Sequence, residues 1–168
     1  MLLLGFCQWV DSTRWSALVR QSNWFFSTVD TIHTLGIILV AGTIMLLDLR
    51  LLGLALRSVP VAQVVARIVP STLGGFGLMV VSGSLLFSSE AVKMYHSPAF
   101  RIKMLLLALA GLNALIFHRT IYRDVANWDP GAVVPLRARL AGLLSLIFWI
   151  AIIAAGRAIA YGPGYDLG

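Results

Sequence analysis

Apolar residues run almost unbroken through four stretches of this chain, at 24–54, 61–87, 99–122 and 138–161. Each exceeds the roughly 20 residues that carry a helix across the hydrocarbon core of a bilayer. The pattern predicts an all-α fold, an integral membrane four-helix bundle in which residues 1–168 form a single transmembrane domain. Four spans and their loops use the whole length and leave no room for a soluble catalytic domain. Ahead of the first span, residues 8–22 read as a short amphipathic helix. Phe6, Val10, Thr13 and Ala17 would form one stripe, with Asp11 and Arg14 pointing away. Trp9, Trp15 and Trp24 lie close by, so this helix is expected along the headgroup region.

The breaks between spans carry ordinary turn and start signals. Residues 55–58 form a short turn, and Pro60 suits the start of the second helix. Pro70 removes a backbone donor inside that helix and is expected to bend it. Gly74, Gly75, Gly77 and Gly83 then strip side chains from one region. Close helix packing through small residues explains them; a surface cleared for a flat cofactor is the alternative. Pro98 marks the start of the third helix. The longest connection holds Asp129-Pro130-Gly131, a turn signature, with Trp128 beside it as an interfacial anchor.

Composition agrees with the pattern. The chain is 59% hydrophobic and only 12% charged, about half the charged fraction of a soluble domain. A net charge of +6 does not imply nucleic acid, because the basic residues cluster at span ends, where headgroups and snorkelling account for them. They divide almost evenly between the two membrane faces. The side away from the termini, side B, is marginally the more basic and is taken as cytoplasmic; the side bearing both termini is side A. With Cys7 as the single cysteine, an intrachain disulfide and a thiolate cluster are both excluded. Phe6 before Cys7 and the missing basic leader argue against a cleaved signal.

The candidate chemistry lies in the ionisable residues within the spans. At a rise of about 1.5 Å per residue, Asp30, His33, Lys103 and Arg157 fall about 6–12 Å from the bilayer centre towards side A, with Ser82 and Ser84 at similar depth. Asp30 and His33 are three apart and share a helix face. Asp30, Lys103 and Arg157 make an intramembrane charge layer, in which an ion pair would fix helix packing. A second layer lies towards side B, with Arg67 and His118 about 12 Å from the centre and Asp48 somewhat further out, where snorkelling of span-end residues accounts for all three.

An ion pair needs no imidazole, so His33 calls for more. A histidine inside a helical bundle suggests a haem or metal ligand. His33 is the favoured axial or metal ligand, and His118 the second candidate. The two lie about 18 Å apart along the membrane normal, too far to share one iron in one subunit. Met79 and Met104 match His33 in depth and could complete its ligation; Met45 matches His118. Lys103, Arg157 and Arg67 could hold haem propionates. His96 falls in a side-A loop, where a solvated histidine is the simpler reading.

Ser22-x-Trp24, His33-x-Leu35-Gly36, Asp48-Leu49-Arg50-Leu51-Leu52-Gly53, Lys103 with Asn113, and Gly156-Arg157-x-Ile159-Ala160-Tyr161 form a series. It resembles a family of small uncharacterised bacterial four-helix membrane proteins, over about Phe6 to Tyr161. The resemblance implies the fold and carries no activity; the family's position matching Asp30 is often glutamate. More loosely, Lys103 followed ten residues on by Asn113 is similar to copper-resistance membrane domains of the CopD type, themselves similar in layout to b-type cytochromes. This chain departs from di-haem bundles in having too few intramembrane histidines for four axial ligands.

The expected function is therefore that of a small membrane-embedded protein binding haem b, an electron carrier or binding protein with no nucleophile–base pair for hydrolysis. Copper or ion handling, with Asp30 and His33 on a pathway, is the alternative; a structural subunit is the third reading. The bilayer, further copies of the chain and a redox partner or quinone are the expected partners, and the bacterial inner membrane the expected location.

Overall fold

The computed structural model describes residues 2–128 and 134–161. The Asp129-Pro130-Gly131 turn lies outside the described residues. Those described are almost wholly helical, with no strand among them. The helices are α1 (Leu2–Asp11), α2 (Arg14–Gln21), α3 (Asn23–Leu51), α4 (Val61–Ser89), α5 (Ala91–His96), α6 (Pro98–Ile116), α7 (Val125–Trp128) and α8 (Leu136–Tyr161). Among the described residues four helices are long and apolar enough to cross a membrane: α3, α4, α6 with its extension, and α8. The chain is an all-α, multi-pass membrane bundle.

Hydroxyl caps set several boundaries. Ser22 opens α3 by accepting from the Phe25 backbone N–H at 3.3 Å. Ser97 does the same for α6 through Phe100, also at 3.3 Å, with Pro98 in the first turn. Both satisfy N–H groups that a helix start leaves without carbonyl partners. At the far end of α3 the chain leaves the helix at Leu51, three residues before the expected limit. Gly53 takes a left-handed φ of +72° there, open to glycine at no steric cost. Pro70 lies inside α4, whose helical assignment continues through it.

The N-terminal segment differs from expectation. The helix expected over 8–22 is two helices, broken at Ser12-Thr13. Ser12 Oγ donates to the Trp9 carbonyl and Thr13 Oγ1 to the Val10 carbonyl, both at 2.7 Å, which finishes α1. Thr13 Oγ1 then accepts from the Ser16 N–H at 3.3 Å, which starts α2. Side-chain bonds of this kind compete with the helix ladder, hence the break. The chain turns back on itself, with Arg20 paired to Asp11 at 3.3 Å. Among the described side chains of α1 and α2 the buried ones are Cys7, Ser16 and Val19, while Phe6 is exposed, so the expected stripe is not the one used. Helix α1 packs on α5 and α2 on α4, against protein at the side-A end.

Helix α3 is the organising element, packed along α4 on one flank and α8 on the other, with α6 laid against α8. Glycine lets α3 and α4 approach closely. A Cβ at Gly75 would fall 2.9 Å from Val40 Cγ2, and one at Gly36 would fall 2.9 Å from Met79 Cγ. Thr43 and Thr72 hydrogen-bond across the same seam at 2.8 Å. The small-residue explanation thus holds for Gly75; Gly74 and Gly77 face open space. Two apolar clusters fill the interior. One, at side B, joins Leu51, Val61, Val65, Phe117 and Ala138. The other, at mid-depth, joins Val40, Ala41, Met79, Trp149 and Ile152. Helix α6 is the most peripheral span, with none of its described residues buried. Phe87 and Phe100 stack at 5.6 Å where α4 and α6 meet near side A.

Candidate functional site

Ten residues into α3, His33 turns towards α4. Its Nδ1 lies 2.9 Å from Ser82 Oγ. The Ser82 hydroxyl donates to the Leu78 carbonyl of its own helix at 2.6 Å. A hydroxyl has one proton, and Ser82 directs it at the backbone. Ser82 Oγ is therefore the acceptor in its bond with His33, and Nδ1 carries the ring's N–H. This network assigns the Nδ1–H tautomer of the neutral ring and leaves the Nε2 lone pair available.

The glycine after Ser82 makes this placement possible. A Cβ at Gly83 would stand 3.1 Å from His33 Cε1 and 3.6 Å from Nδ1, with Nε2 beyond 4 Å. Helix α4 thus meets the imidazole along its Cε1–Nδ1 edge. The Met79 carbonyl also interacts with the ring.

Two charges act on this imidazole through space, Lys103 from α6 and Asp30 from one turn back on α3. Lys103 is half-buried and runs across to α8, where its Nζ would lie 3.5 Å from a Cβ at Gly156. A glycine thus clears space for two side chains of the layer, Gly83 for His33 and Gly156 for Lys103. Arg157 is next to that glycine and is exposed; it has partners of its own. Asp30 is exposed on α3, and no ion pair joins it to Lys103. Of the two cations expected at this depth, Lys103 turns its ammonium to α8 rather than to Asp30.

The methionines separate. Met79 is buried in the mid-depth cluster against Gly36. Met104 is 50% exposed on the outer side of α6. Met45 is half-buried on α3.

The side-B candidates do not assemble into one site. His118 lies in a π-helical segment, Phe117–Ile121, that follows α6. It is exposed, edge-on to Phe117 at 5.5 Å and to Tyr122 at 5.4 Å. Arg67 is exposed on α4. Asp48 contradicts the snorkelling expectation, being 3% exposed between α3 and α8. His33 and His118 occupy opposite ends of the bundle, as the depth argument required. Ser82 entered the sequence reading by its depth and Gly156 as part of a motif, neither with a role, and Ser145 was not a candidate. A polar or glycine residue within an apolar run was the signal available for each.

A cleft of about 350 Å³ opens at the side-A surface, lined by Asp11, Arg20, Glu90, Val92, Lys93 and His96. His96 is exposed there, in agreement with the solvated reading. No group of three or more metal-ligating His, Cys, Asp or Glu side chains forms among the described residues.

A family model described as "Family of unknown function (DUF6644)" matches residues 6–162. No curated protein matches the chain, and no solved structure does.

Proposed function

Since the chain belongs to DUF6644, a family of unknown function, we propose a role read from its own residues: a small protein of the bacterial inner membrane that binds haem b through His33 and carries electrons. The observation that supports this is the committed Nδ1 of His33. Its proton goes to Ser82, whose own proton goes to Leu78. Metal-bound imidazoles are oriented in this way, with one ring N–H donated to a fixed acceptor and the other nitrogen free to ligate.

The surrounding residues fit the group in part. His33 would supply a nitrogen to hold the group, and Gly83 leaves room on α4 for the ring. Lys103 and Arg157 would neutralise propionates from the same depth. Arg67 and His118 sit at the other end and take no part. Met79 is occupied by packing against Gly36, so the reading rests on His33. Bound haem would supply a one-electron couple; the chain's residues orient the ligand, balance charge and exclude water.

The test is haem per chain in protein purified in mild detergent. The expected outcome is a Soret band in wild type that His33→Ala abolishes. Colourless wild-type protein, or unchanged haem in His33→Ala, refutes the assignment. One observation favours a second reading, copper or ion handling: Asp30 and Lys103 place opposite charges around the same imidazole. Stoichiometric copper in a colourless sample selects that reading.

A further inference from the structure

Asp48 is the one buried acidic side chain among the described residues. It lies one turn from the side-B end of α3, in a span, facing α8. Gly142 brings the two helices together there. A Cβ at that glycine would be 3.2 Å from Leu51 Cβ, 3.3 Å from the Asp48 carbonyl oxygen and 3.5 Å from Asp48 Cα. Ser145, the next residue of α8 on that face, hydrogen-bonds to the Asp48 carboxyl. The other carboxyl oxygen, Oδ2, has no hydrogen-bond partner among the described residues.

Among the described residues no cation forms an ion pair with this carboxyl. Arg50, on the same helix, turns its Nε to the Val59 carbonyl at 2.6 Å. On the elements packed around, Arg67 of α4, His118 and Arg119 of the π segment, and Arg137 and Arg139 of α8 are all exposed. None forms an ion pair with Asp48. Asn113 of α6 commits its amide to the Ala141 carbonyl at 3.0 Å. A bare carboxylate in this setting would carry a full desolvation penalty with one hydrogen bond to offset it. A bound metal ion would need several oxygens around it, whereas a proton needs one acceptor atom, and Oδ2 is that atom.

We propose that Asp48 is an intramembrane proton-binding site, whose carboxyl holds an exchangeable proton at neutral pH with Ser145 as its fixed donor. This site is separate from His33 and does not rest on the haem reading. The proton comes from the aqueous phase at side B, the nearer end of α3.

The test is infrared difference spectroscopy on the full-length protein in lipid at pH 7. The expected result is a protonated-carboxyl C=O band that moves down in D2O and is missing in Asp48→Asn. Ser145→Ala should move the same band up, because the carbonyl loses its donor. A wild-type spectrum with no protonated-carboxyl band overturns the proposal without any variant. So does a band that Asp48→Asn leaves in place, or one that does not respond to D2O. Should Asp48→Asn fail to fold, Ser145→Ala decides: a shifted band supports the site, and an unmoved band overturns it.

Discussion

Ser82→Ala tests whether His33 is held for a purpose, and Ser84→Ala is its internal control. Both serines lie on α4, and each hydroxyl bonds back to the carbonyl four residues earlier, at 2.6 Å for Ser82 and 2.7 Å for Ser84. Only Ser82 also receives His33. Replacing either serine by alanine improves helix propensity by about 0.5 kcal/mol. Losing the back-bond costs little, since the carbonyl keeps its backbone partner. Ser84→Ala should therefore be neutral or slightly stabilising. Ser82→Ala strands the Nδ1–H of a half-buried ring, a loss of about 1–3 kcal/mol, for a net destabilisation of about 0.5–2.5 kcal/mol after the propensity gain.

Two readouts separate structure from function. Reversible unfolding of the full chain in mixed micelles measures the hydrogen bond alone. Haem titration of the apo-protein measures ligation, where losing the acceptor behind a ligating histidine weakens binding about 10- to 100-fold. Two alanine variants that are indistinguishable in unfolding refute the assigned hydrogen bond. A destabilised Ser82→Ala that binds haem as Ser84→Ala does refutes the orienting role and leaves the hydrogen bond structural.

Gly75→Ala should destabilise the bundle by about 1–3 kcal/mol, because its Cβ meets Val40 Cγ2 at 2.9 Å in the packed core. Gly77→Ala, which meets nothing within 4 Å, should be neutral or stabilising by about 1 kcal/mol; equal stabilities would contradict the α3–α4 packing. The outward-facing glycines Gly74, Gly77 and Gly111 offer close approach to a second copy. Native mass measurement in mild detergent should then give a multiple of the 18.3 kDa chain, and a monomer at every concentration would rule the homo-oligomer out.

The spans were legible because the bilayer dictates them: length and apolarity suffice, whatever the neighbours. Ser22 and Ser97-Pro98 were legible for the same local reason, since caps act within one turn. Depth was legible too, because rise per residue is fixed, and it placed His33, Ser82 and Lys103 in one layer. Direction around the helix axis was not. Asp30 shares that layer but is exposed, while Lys103 turns to Gly156 on α8, so equal depth did not give the direction of either side chain. Asp48 shows the converse. Its position near a span end suggested snorkelling, yet its burial is decided by Gly142 on α8, far along the chain. The Ser12-Thr13 break could have been read, since adjacent hydroxyl residues compete with the helix ladder. The stripe assumed through Thr13 obscured it.

The two polar positions on α3 also bear on the choice between carrying and transporting. His33 and Asp48 are fifteen residues apart, or about 22 Å along the helix. Each is served by a different neighbour, His33 by α4 and Asp48 by α8. Between them the interior is Val40, Ala41, Met79, Trp149 and Ile152, with the Thr43–Thr72 bond as its polar contact across the α3–α4 seam. An ion crossing this interior would shed its hydration with little to replace it, at a cost of several kcal/mol by order of magnitude. A pathway would need the helices to part or a second copy to supply the missing groups. An electron requires no such hydrated route, and a proton held at Asp48 need only reach the nearer face. A bundle with a ligand-ready imidazole at one end and a buried carboxyl at the other, separated by an apolar middle, is suited to holding charge at fixed places. Such an arrangement is compatible with the proposed haem reading, and the haem and copper content of wild type and His33→Ala is the measurement that separates that reading from copper or ion handling.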